Sequence, residues 1–313
     1  MQITPLHPCF GARIDDVDLA QPLDDATFQR IHEAFQEHSV LVFPGQRLTD
    51  EQQMAFSRRF GPLETTIRAI GKENRLHPNL VDLSNLDPDH DGRLMDWSNR
   101  RMRYQSGNQL WHTDSSFKPV PATASLLSGR EVPPAGGETE FASMRHAYAA
   151  LPEATRRRLE GGVAVHSILY SRSTIAPGLF DPDNALELPP VRQALVRANP
   201  ANGRRNFYVG SHAWYVESMD HAESSALLDE LLALTTQPER VYQHRWRPWD
   251  LVMWDNRCML HRGRPWDAAH HRRVMHRTTV AGDGPTAEPP FATRTPAWDG
   301  IIPDDVGVRQ ESA

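Results

Sequence analysis

Two side chains that can bind a metal ion lie two residues apart in the segment NQLWHTDSSF (108–117), namely His112 and Asp114. In a strand, residues i and i+2 point to the same face, so an imidazole and a carboxylate can reach one ion. His261, in LVMWDNRCMLHRGRPWD (251–267), is the leading candidate for a third ligand because it follows an apolar strand. Two histidines and one carboxylate leave coordination positions open for a co-substrate and oxygen, as in non-haem iron oxygenases.

The third ligand has rivals, because a single histidine is more often a hydrogen-bonded core or surface residue than a metal ligand. The other histidines near the end of the chain are His270, His271 and His276. The first two stand in a polar run beside two arginines, which fits a surface position better. His276 alternates with residues that are assigned another role below, so His261 stays the leading candidate.

The composition excludes several classes of protein. The chain has 313 residues, of which 39% are hydrophobic, a formal net charge of −6 and two cysteines. We expect one domain over 1–313, no disulfide framework and no nucleic-acid partner, since general nucleic-acid binders are usually basic. The first twenty residues show no signal peptide, and no apolar run approaches the ~18 residues of a membrane span. A cytoplasmic protein without a membrane partner is expected.

Three helices are predicted from periodicity and capping residues. The segment 24–37 has an apolar face and acidic residues at its start, Thr49 and Gln52 form a capping-box pattern, and 222–234 is the clearest helix. The residues expected to be buried in these helices are Phe28, Ile31, Phe35, Met54, Phe60, Leu227, Leu228, Leu231 and Leu232.

Most other elements are predicted to be strands. They cover 39–45, 81–85, 123–132, 162–170 and 274–282, together with RVYQHRW and DLVMWDN. A hairpin is predicted at 200–203, where Asn-Gly accepts the positive φ angles of a tight turn. Many strands without βαβ alternation favour a mainly β fold with flanking helices, a jelly-roll or barrel.

Two segments lack a periodic pattern. The polar segment 87–107 is predicted to be a long mobile loop, and loops of that length in a compact domain are usually functional or disordered. The segment 283–313 is rich in proline and polar residues and is predicted to be an irregular tail, a strap or partly disordered.

Several blocks together resemble the taurine dioxygenase / 2,4-dichlorophenoxyacetate dioxygenase family, in order and in spacing. They are WHTD (111–114), PPAGGETEFASMRHAY (133–148), MWDNRCMLHRG (253–263) and HRRVMHRTTV (271–280). The similarity is closer to the dichlorophenoxyacetate branch. It implies a double-stranded β-helix, a cupin-like jelly-roll that holds the metal at one mouth. It also implies an Fe(II)- and 2-oxoglutarate-dependent dioxygenase that uses O2, with His112, Asp114 and His261 as iron ligands.

The resemblance further implies that 2-oxoglutarate chelates the iron, with Thr139 and Arg273 at its distal carboxylate and Arg277 near its C1 carboxylate. The two arginines lie four residues apart in a strand-like run, so they face the same side, and a guanidinium pairs a carboxylate in two-point fashion. Seen alone, HHRRVMHR is typical of a solvated basic face. Its place twelve residues after His261 and before an apolar strand favours a buried pair.

The resemblance favours a small anionic substrate, an aryloxyacetate such as 2,4-dichlorophenoxyacetate, cleaved to a phenol and glyoxylate with succinate and CO2. Asp114 stands where related halogenases carry a small residue, which favours hydroxylation. The alternatives are a taurine, alkylsulfonate or alkylsulfate dioxygenase, an enzyme of natural aromatic ether acids, and, more remotely, a zinc or cupin metal-binding protein without oxygenase activity. The candidates for substrate binding are Asn108, Arg68, Lys72, Tyr170, Phe207 and His212.

Each substrate candidate fits a surface charge or a core aromatic residue equally well. A nucleic-acid or protein-binding module that uses the basic segment 270–277 is opposed by the net acidity and by the apolar strand that follows. The sequence does not give an oligomeric state, although members of the family are often homodimers or homotetramers.

Overall fold

Strands dominate the fold, and helices flank them. The structure is a computed structural model that describes residues 1–65, 76–87, 92–175 and 188–292. The strands are β1 (Gln2–Pro5), β2 (Ala12–Asp15), β3 (Val40–Phe43), β4 (Leu80–Asp82), β5 (Ala124–Glu131), β6 (Thr139–Ser143), β7 (Val163–His166), β8 (Val191–Ala194), β9 (Val196–Ala198), β10 (Arg205–Phe207), β11 (Ala213–Val216), β12 (Val241–His244), β13 (Leu251–Asp255), β14 (Met259–Gly263) and β15 (Val274–Val280). The α-helices are α1 (Asp25–His38), α2 (Asp50–Arg58), α3 (Arg100–Gln105), α4 (Met144–Ala150), α5 (Glu153–Leu159), α6 (Ile168–Ser173) and α7 (His221–Thr235).

The large sheet has the order β1-β2-β3-β13-β5-β15-β4, so strands far apart in sequence lie side by side at its centre. Its middle strand β13 is buried on both faces, and alternate residues serve two cores. Leu251 and Met253 pack with α1 and α2, whereas Val252 and Trp254 face the opposite side. The site residues described below lie on that second face.

Helices α1 and α2 cover the first face of the large sheet, as the sequence predicts. Asp24 caps α1, and the capping box of Thr49 and Gln52 at α2 is formed by both hydrogen bonds. Ile31 and Phe35 are buried in the core beneath α1. Phe28 and Phe60 are only partly buried and contact each other edge to face at the rim of this core.

Two smaller antiparallel sheets, β12-β6-β14 and β11-β7-β8, complete the β structure, together with the predicted hairpin of β9 and β10. Phe141 of β6 and Met259 of β14 pack against Val252 and Trp254 of the large sheet. The sheets therefore face each other across a shared core, and the predicted mainly β class with flanking helices is confirmed. Leu227, Leu228 and Leu231 of α7 are buried as predicted, and Leu232 is partly buried.

The strand predicted over 162–170 is only half right. β7 ends at His166, and the Ser167 side chain then accepts a hydrogen bond from the backbone N–H of Tyr170 and caps α6. Capping by Ser167 is a local signal that competes with the β-branched pattern before it. Tyr170 therefore lies on a helix and not on a strand.

The loop predicted over 87–107 contains helical turns in the part that the structure describes. Asn99 caps α3, and Met102 is fully buried at its centre. A 3-10 turn, Ser106–Gln109, follows. A six-residue helix is too short to give a periodic apolar pattern, so the sequence did not reveal it.

The first part of the predicted tail lies against β8. The Ala292 N–H donates to the Pro190 carbonyl at 3.1 Å, and the Arg192 N–H donates to the Pro290 carbonyl at 2.8 Å. This part of the tail therefore has the position of a strap, and the rest of it lies outside the described residues. Within the described part of the chain, no helix is long and apolar enough to cross a membrane.

Gln53 connects α2 to the centre of the large sheet. Its side chain is fully buried, and Nε2 donates to the carbonyls of Leu126 on β5 and His276 on β15 at 3.1 and 2.9 Å. Its Oε1 accepts a hydrogen bond from Arg130. A buried amide with three partners fixes how the helix sits on the two strands.

Gln53→Met keeps the volume of this side chain and removes all three hydrogen bonds. We expect the free energy of unfolding to fall by about 1–3 kcal/mol, because buried polar partners lose their hydrogen bonds. Urea denaturation measures the change, and Gln29→Met on the exposed face of α1 is the matched control, with less than about 0.5 kcal/mol expected. Equal stability of the two variants would contradict the role given to Gln53.

Candidate metal centre and adjoining cavities

His112 and His261 are paired through their backbones. They form an antiparallel bridge in which the N–H of each donates to the carbonyl of the other, at 3.0 and 2.8 Å. Directly opposed residues of an antiparallel pair direct their side chains to the same face. The two imidazole rings accordingly lie with their centroids 4.2 Å apart. This bridge links the segment before the turn at Asp114 to β14.

Asp114 does not lie on a strand, as the i, i+2 prediction assumed, but at the start of a turn. The next residue, Ser115, has a φ of 59° and turns the chain away. The Asp114 N–H donates to Asn256 Oδ1 at 3.2 Å, and its Oδ2 accepts the Ser125 hydroxyl at 2.6 Å. The carboxylate therefore reaches the histidines because a buried network holds the turn.

Asn256 is the centre of that network. It is fully buried just after β13, and its Oδ1 also accepts the Trp254 indole N–H at 2.9 Å. Its Nδ2 donates to the Ser125 hydroxyl oxygen at 2.9 Å. Residues of β5 and of the end of β13 thus hold the Asp114 carboxylate in place. The two histidines reach it from β14 and from the segment around His112.

The three side chains fit a metal ion. Their ligand atoms all lie within 4.8 Å of one another. Asp114 Oδ1 is 3.9 Å from His112 Nε2, and Asp114 Oδ2 is 3.8 Å from His261 Nε2. An ion about 2.1 Å from each ligand bridges atoms up to about 4.2 Å apart, and both carboxylate–imidazole distances lie within that limit. His112 Nδ1 lies 2.8 Å from the Leu110 carbonyl, which leaves Nε2 as the free ligand atom.

The charges around the cluster favour a carboxylate and two neutral imidazoles. Burial lowers the pKa of His112 to about 4, because it disfavours the imidazolium, although the Asp114 charge opposes this. Burial would raise the pKa of Asp114, but the nearby Arg277 guanidinium and the two histidines more than offset it, so the pKa is lowered. Arg277 Nη1 donates to Asp114 Oδ1 at 2.5 Å.

The rival histidines lie elsewhere. His270 is exposed and pairs with Asp267, as expected for a surface residue. His276 Nδ1 lies 2.7 Å from Asp50 Oδ1 at the start of α2, on the opposite face of the large sheet. Neither belongs to the metal-binding cluster of the described residues, which is His112, Asp114 and His261.

A first cavity adjoins the cluster on the side of β6. It is lined by Thr139, Arg273 and Arg277 together with His112 and His261. Thr139 is the first residue of β6 and faces the same side as His261, because Thr139 pairs with Gly263 and Phe141 pairs with His261. The structure therefore brings together the three residues that the sequence groups around a dicarboxylate.

Arg273 is held rigidly beside this cavity, just before β15. Its N–H donates to the buried Asn85 side chain at 2.8 Å, and its Nη2 donates to the Gly137 carbonyl at 3.2 Å. The guanidinium packs on the Trp266 ring, 5.0 Å from its centroid. Its Nε has no hydrogen-bond partner among the described residues, and burial lowers its pKa to about 10.

A second cavity adjoins the cluster on the other side. It shares Leu83, Asn108, His112 and Arg277 with the first cavity and is also lined by Asp114 and His212. Leu83, Phe117 and Ile168 supply apolar surface to it. The ion site thus lies between two cavities, with Arg277 and Asn108 on both.

The substrate candidates from the sequence divide into three groups. Asn108 and His212 line the second cavity. Phe207 and Tyr170 do not line either cavity, because Phe207 is fully buried in the core against Tyr148 and Tyr170 stacks on Trp214. Arg68 and Lys72 lie outside the described residues.

Three site residues were missed by sequence reasoning. Ser125 and Asn256 act on Asp114 from outside its own motif, and Asn256 lies more than a hundred residues away, so no local spacing reveals them. Arg172 lines the second cavity from α6 and is 4% exposed. An arginine in the otherwise uncharged run SILYSRS was the only sequence signal for it.

Comparison with known proteins agrees with this geometry. Residues 2–279 match the model of the family described as "Taurine catabolism dioxygenase TauD, TfdA family". The chain is 44% identical to the alpha-ketoglutarate-dependent 2,4-dichlorophenoxyacetate dioxygenase of Cupriavidus pinatubonensis, over 88% of this chain and 96% of that protein. It is 40% identical to the (S)-phenoxypropionate/alpha-ketoglutarate-dioxygenase of Sphingobium herbicidovorans, over 93% of this chain and 98% of that protein.

Solved structures give the same result. The structure of AAD-2 in complex with Mn(II) and N-oxalylglycine superposes with a TM-score of 0.84 at 41% identity, over 92% of this chain and 98% of that chain. A taurine dioxygenase from Burkholderia xenovorans superposes with a TM-score of 0.73 at 29% identity, over 91% and 92%. The expected jelly-roll core is confirmed by these likenesses. This chain belongs to the TauD, TfdA family.

Proposed function

We propose that this protein is an Fe(II)- and 2-oxoglutarate-dependent dioxygenase that cleaves aryloxyacetates, such as 2,4-dichlorophenoxyacetate, to a phenol and glyoxylate. One observation carries the proposal: the His112, Asp114 and His261 cluster opens onto a cavity that contains the buried guanidinium of Arg273. A zinc hydrolase has no use for such a group beside its metal. The relatives that are 44% and 40% identical, named for 2,4-dichlorophenoxyacetate and phenoxypropionate, support the substrate class.

His112, Asp114 and His261 would hold the iron. Bound iron supplies the activation of oxygen and the oxidising power for a C–H bond. The protein keeps both histidines neutral by burial and keeps the carboxylate ionised through Arg277, which is the protonation state that a divalent cation requires. The Ser125 hydroxyl occupies one lone pair of Asp114 and limits the orientations of the carboxylate.

Thr139 and Arg273 would hold the distal carboxylate of 2-oxoglutarate, and Arg277 would lie near its C1 carboxylate. Arg273 Nε has no partner among the described residues that would compete with an anion, and the guanidinium is already fixed by Gly137 and Trp266. The Thr139 hydroxyl accepts the Trp246 indole N–H at 3.0 Å, so its own proton is available to a carboxylate oxygen. A charge-assisted contact to a buried arginine is strong because little water competes for it.

The reaction balances with one molecule of each reactant. One oxygen atom of O2 enters succinate as 2-oxoglutarate loses CO2, and the other becomes a hydroxyl group on the carbon next to the ether oxygen. The hemiacetal then breaks its C–O bond to give the phenol and glyoxylate. The part of the protein is to hold the substrate with that carbon toward the cluster and to exclude water from both cavities.

The proposal includes the segment 87–107 as an active-site lid, since Tyr104 lines the second cavity and Trp97 and Gln105 line the first. The proposal also includes a cytoplasmic location and a homodimer or homotetramer. Light scattering of the purified protein measures the assembly directly.

The substrate class is tested with a panel of small anions. With iron, 2-oxoglutarate and 2,4-dichlorophenoxyacetate we expect phenol, glyoxylate and succinate in equal amounts, and Asp114→Ala should abolish all three because the metal loses its carboxylate ligand. If the protein turned over taurine or an alkyl sulfate but no aryloxyacetate, that anion would replace the aryloxyacetate as the proposed substrate. If the protein bound zinc tightly and formed succinate with none of these anions, the assignment as an oxygenase would be wrong.

Ser125→Ala tests the hold on the Asp114 carboxylate without the need for turnover. We expect about 10-fold to 100-fold weaker Mn(II) binding, read from the free-ion signal in electron paramagnetic resonance, because the carboxylate loses a partner that orients it. Ser128→Ala is the matched control, since Ser128 is equally buried on β5 and its hydroxyl has no partner among the described residues. Equal Mn(II) affinity in the two variants would remove Ser125 from the site.

Arg273→Gln tests the clamp on the co-substrate. In the zinc-loaded protein we expect the Kd of N-oxalylglycine to rise about 30-fold or more, because a buried charge partner of its carboxylate is lost. Arg272→Gln is the control, since Arg272 is exposed and pairs with Glu131 at the surface. Unchanged affinity in Arg273→Gln, measured by calorimetry, would exclude Arg273 as the clamp.

A further inference from the structure

The second cavity is lined by positively charged side chains besides the one that pairs with Asp114 of the metal cluster. Three basic side chains among the described residues line it: Arg277, Lys118 and Arg172. Arg277 pairs with Asp114 at 2.5 Å, and Lys118 pairs with Glu64 at 2.6 Å. Each of these two charges is thus neutralised by a carboxylate of the protein.

Arg172 is different. It is 4% exposed on α6, and its Nε and Nη1 have no hydrogen-bond partner among the described residues. Burial lowers its pKa, and the neighbouring Tyr104 phenol and then the charge of Asp114 only partly oppose this. A buried guanidinium with unused donors costs free energy unless an anion compensates it.

The guanidinium is nevertheless held in one place. Its Nη2 donates to Asn108 Oδ1 at 3.1 Å, and its central carbon lies 5.1 Å from the centroid of the Tyr104 ring. A Cβ at Gly107 would lie 2.2 Å from Nη1, so the absence of a side chain at 107 makes room for Arg172. Asn108 in turn borders both cavities, which places Arg172 next to the cluster.

We propose that Arg172 binds the carboxylate of the organic substrate and so selects small carboxylic acids for the proposed dioxygenase. The free donors of Arg172 meet the two oxygens of that group. Phe117, Ile168 and Leu83 form the apolar wall for the rest of the molecule. Arg172 does not line the first cavity, where Arg273 lies, so the two arginines serve two different anions.

His212 is a neighbour of this site and not its cationic group. Its Nδ1 lies 2.8 Å from the Ser171 hydroxyl, and its ring contacts Phe117 edge to face at 4.9 Å. Burial first, and then the charge of Arg172, lower its pKa well below the usual range, so the ring is neutral. His212 shapes the cavity, and Arg172 supplies the charge.

This inference rests on the proposed function, and its test separates the two. The zinc-loaded protein with N-oxalylglycine is titrated with 2,4-dichlorophenoxyacetate and with its neutral amide, and calorimetry gives both Kd values. We expect Arg172→Met to weaken binding of the acid about 30-fold or more and to leave binding of the amide nearly unchanged. Arg172→Lys should recover part of the affinity, because the charge returns without the two-point geometry.

Two further variants distinguish the effect of the position of the Arg172 guanidinium from the effect of the overall charge of the protein. Gly107→Ala should displace the Arg172 guanidinium, since the three nearest atoms to the added Cβ all belong to it, and should reproduce the selective loss of acid binding. Arg205→Met removes the same unit of charge at an exposed ion pair with Glu160 and should leave acid binding unchanged. In iron-loaded protein the Arg172→Met defect should appear in KM for the acid rather than in kcat.

Equal losses for acid and amide would assign Arg172 a structural role and overturn the proposal, as would wild-type acid affinity in Arg172→Met. In both cases wild-type turnover of the acid would still stand, so the proposed function survives. If the wild-type protein neither bound nor oxidised any aryloxyacetate, the proposed function would be wrong. The role proposed for Arg172 would then be wrong as well.

Discussion

A buried carboxylate is the constraint on which the site depends. Asp114 is removed from water, and an isolated charge there would take up a proton rather than stay ionised. It stays ionised because Arg277 from β15 pairs with it and Ser125 from β5 donates a hydrogen bond to it, while Asn256 just after β13 accepts the Asp114 backbone N–H and holds the turn. These three strands are neighbours in the large sheet. The strand order of the fold is therefore what allows the carboxylate to exist beside two histidines.

The buried arginines follow from the same electrostatics. Arg277 forms an ion pair with Asp114, whereas Arg273 and Arg172 have no carboxylate partner among the described residues. Within the described part of the chain, a positive charge beside each cavity is thus left without a carboxylate partner. Sites of this kind lower stability in the empty protein and gain it back when anions bind. In the proposed function, each of these two arginines would bind one carboxylate.

Sequence reasoning correctly grouped residues whose placement depends on short local motifs. His112, Asp114, His261 and Arg273 belong to short motifs, and the capping box at Thr49 needs only the residue three positions on. It failed where a role depends on distant partners. Arg172 acquires its position from Gly107 and Asn108, which lie more than sixty residues earlier. Short helices such as α3 are set by a cap and one buried methionine, which leave no periodic signal.

The backbone bridge between His112 and His261 has a consequence for how an ion is captured. Since each residue is hydrogen-bonded to the other through its own peptide groups, the spacing of the two rings is fixed by the main chain. The pair behaves as a preorganised bidentate chelate whose conformational entropy was already lost on folding. Less conformational entropy is then lost when an ion binds, because the two ligand residues already lie side by side.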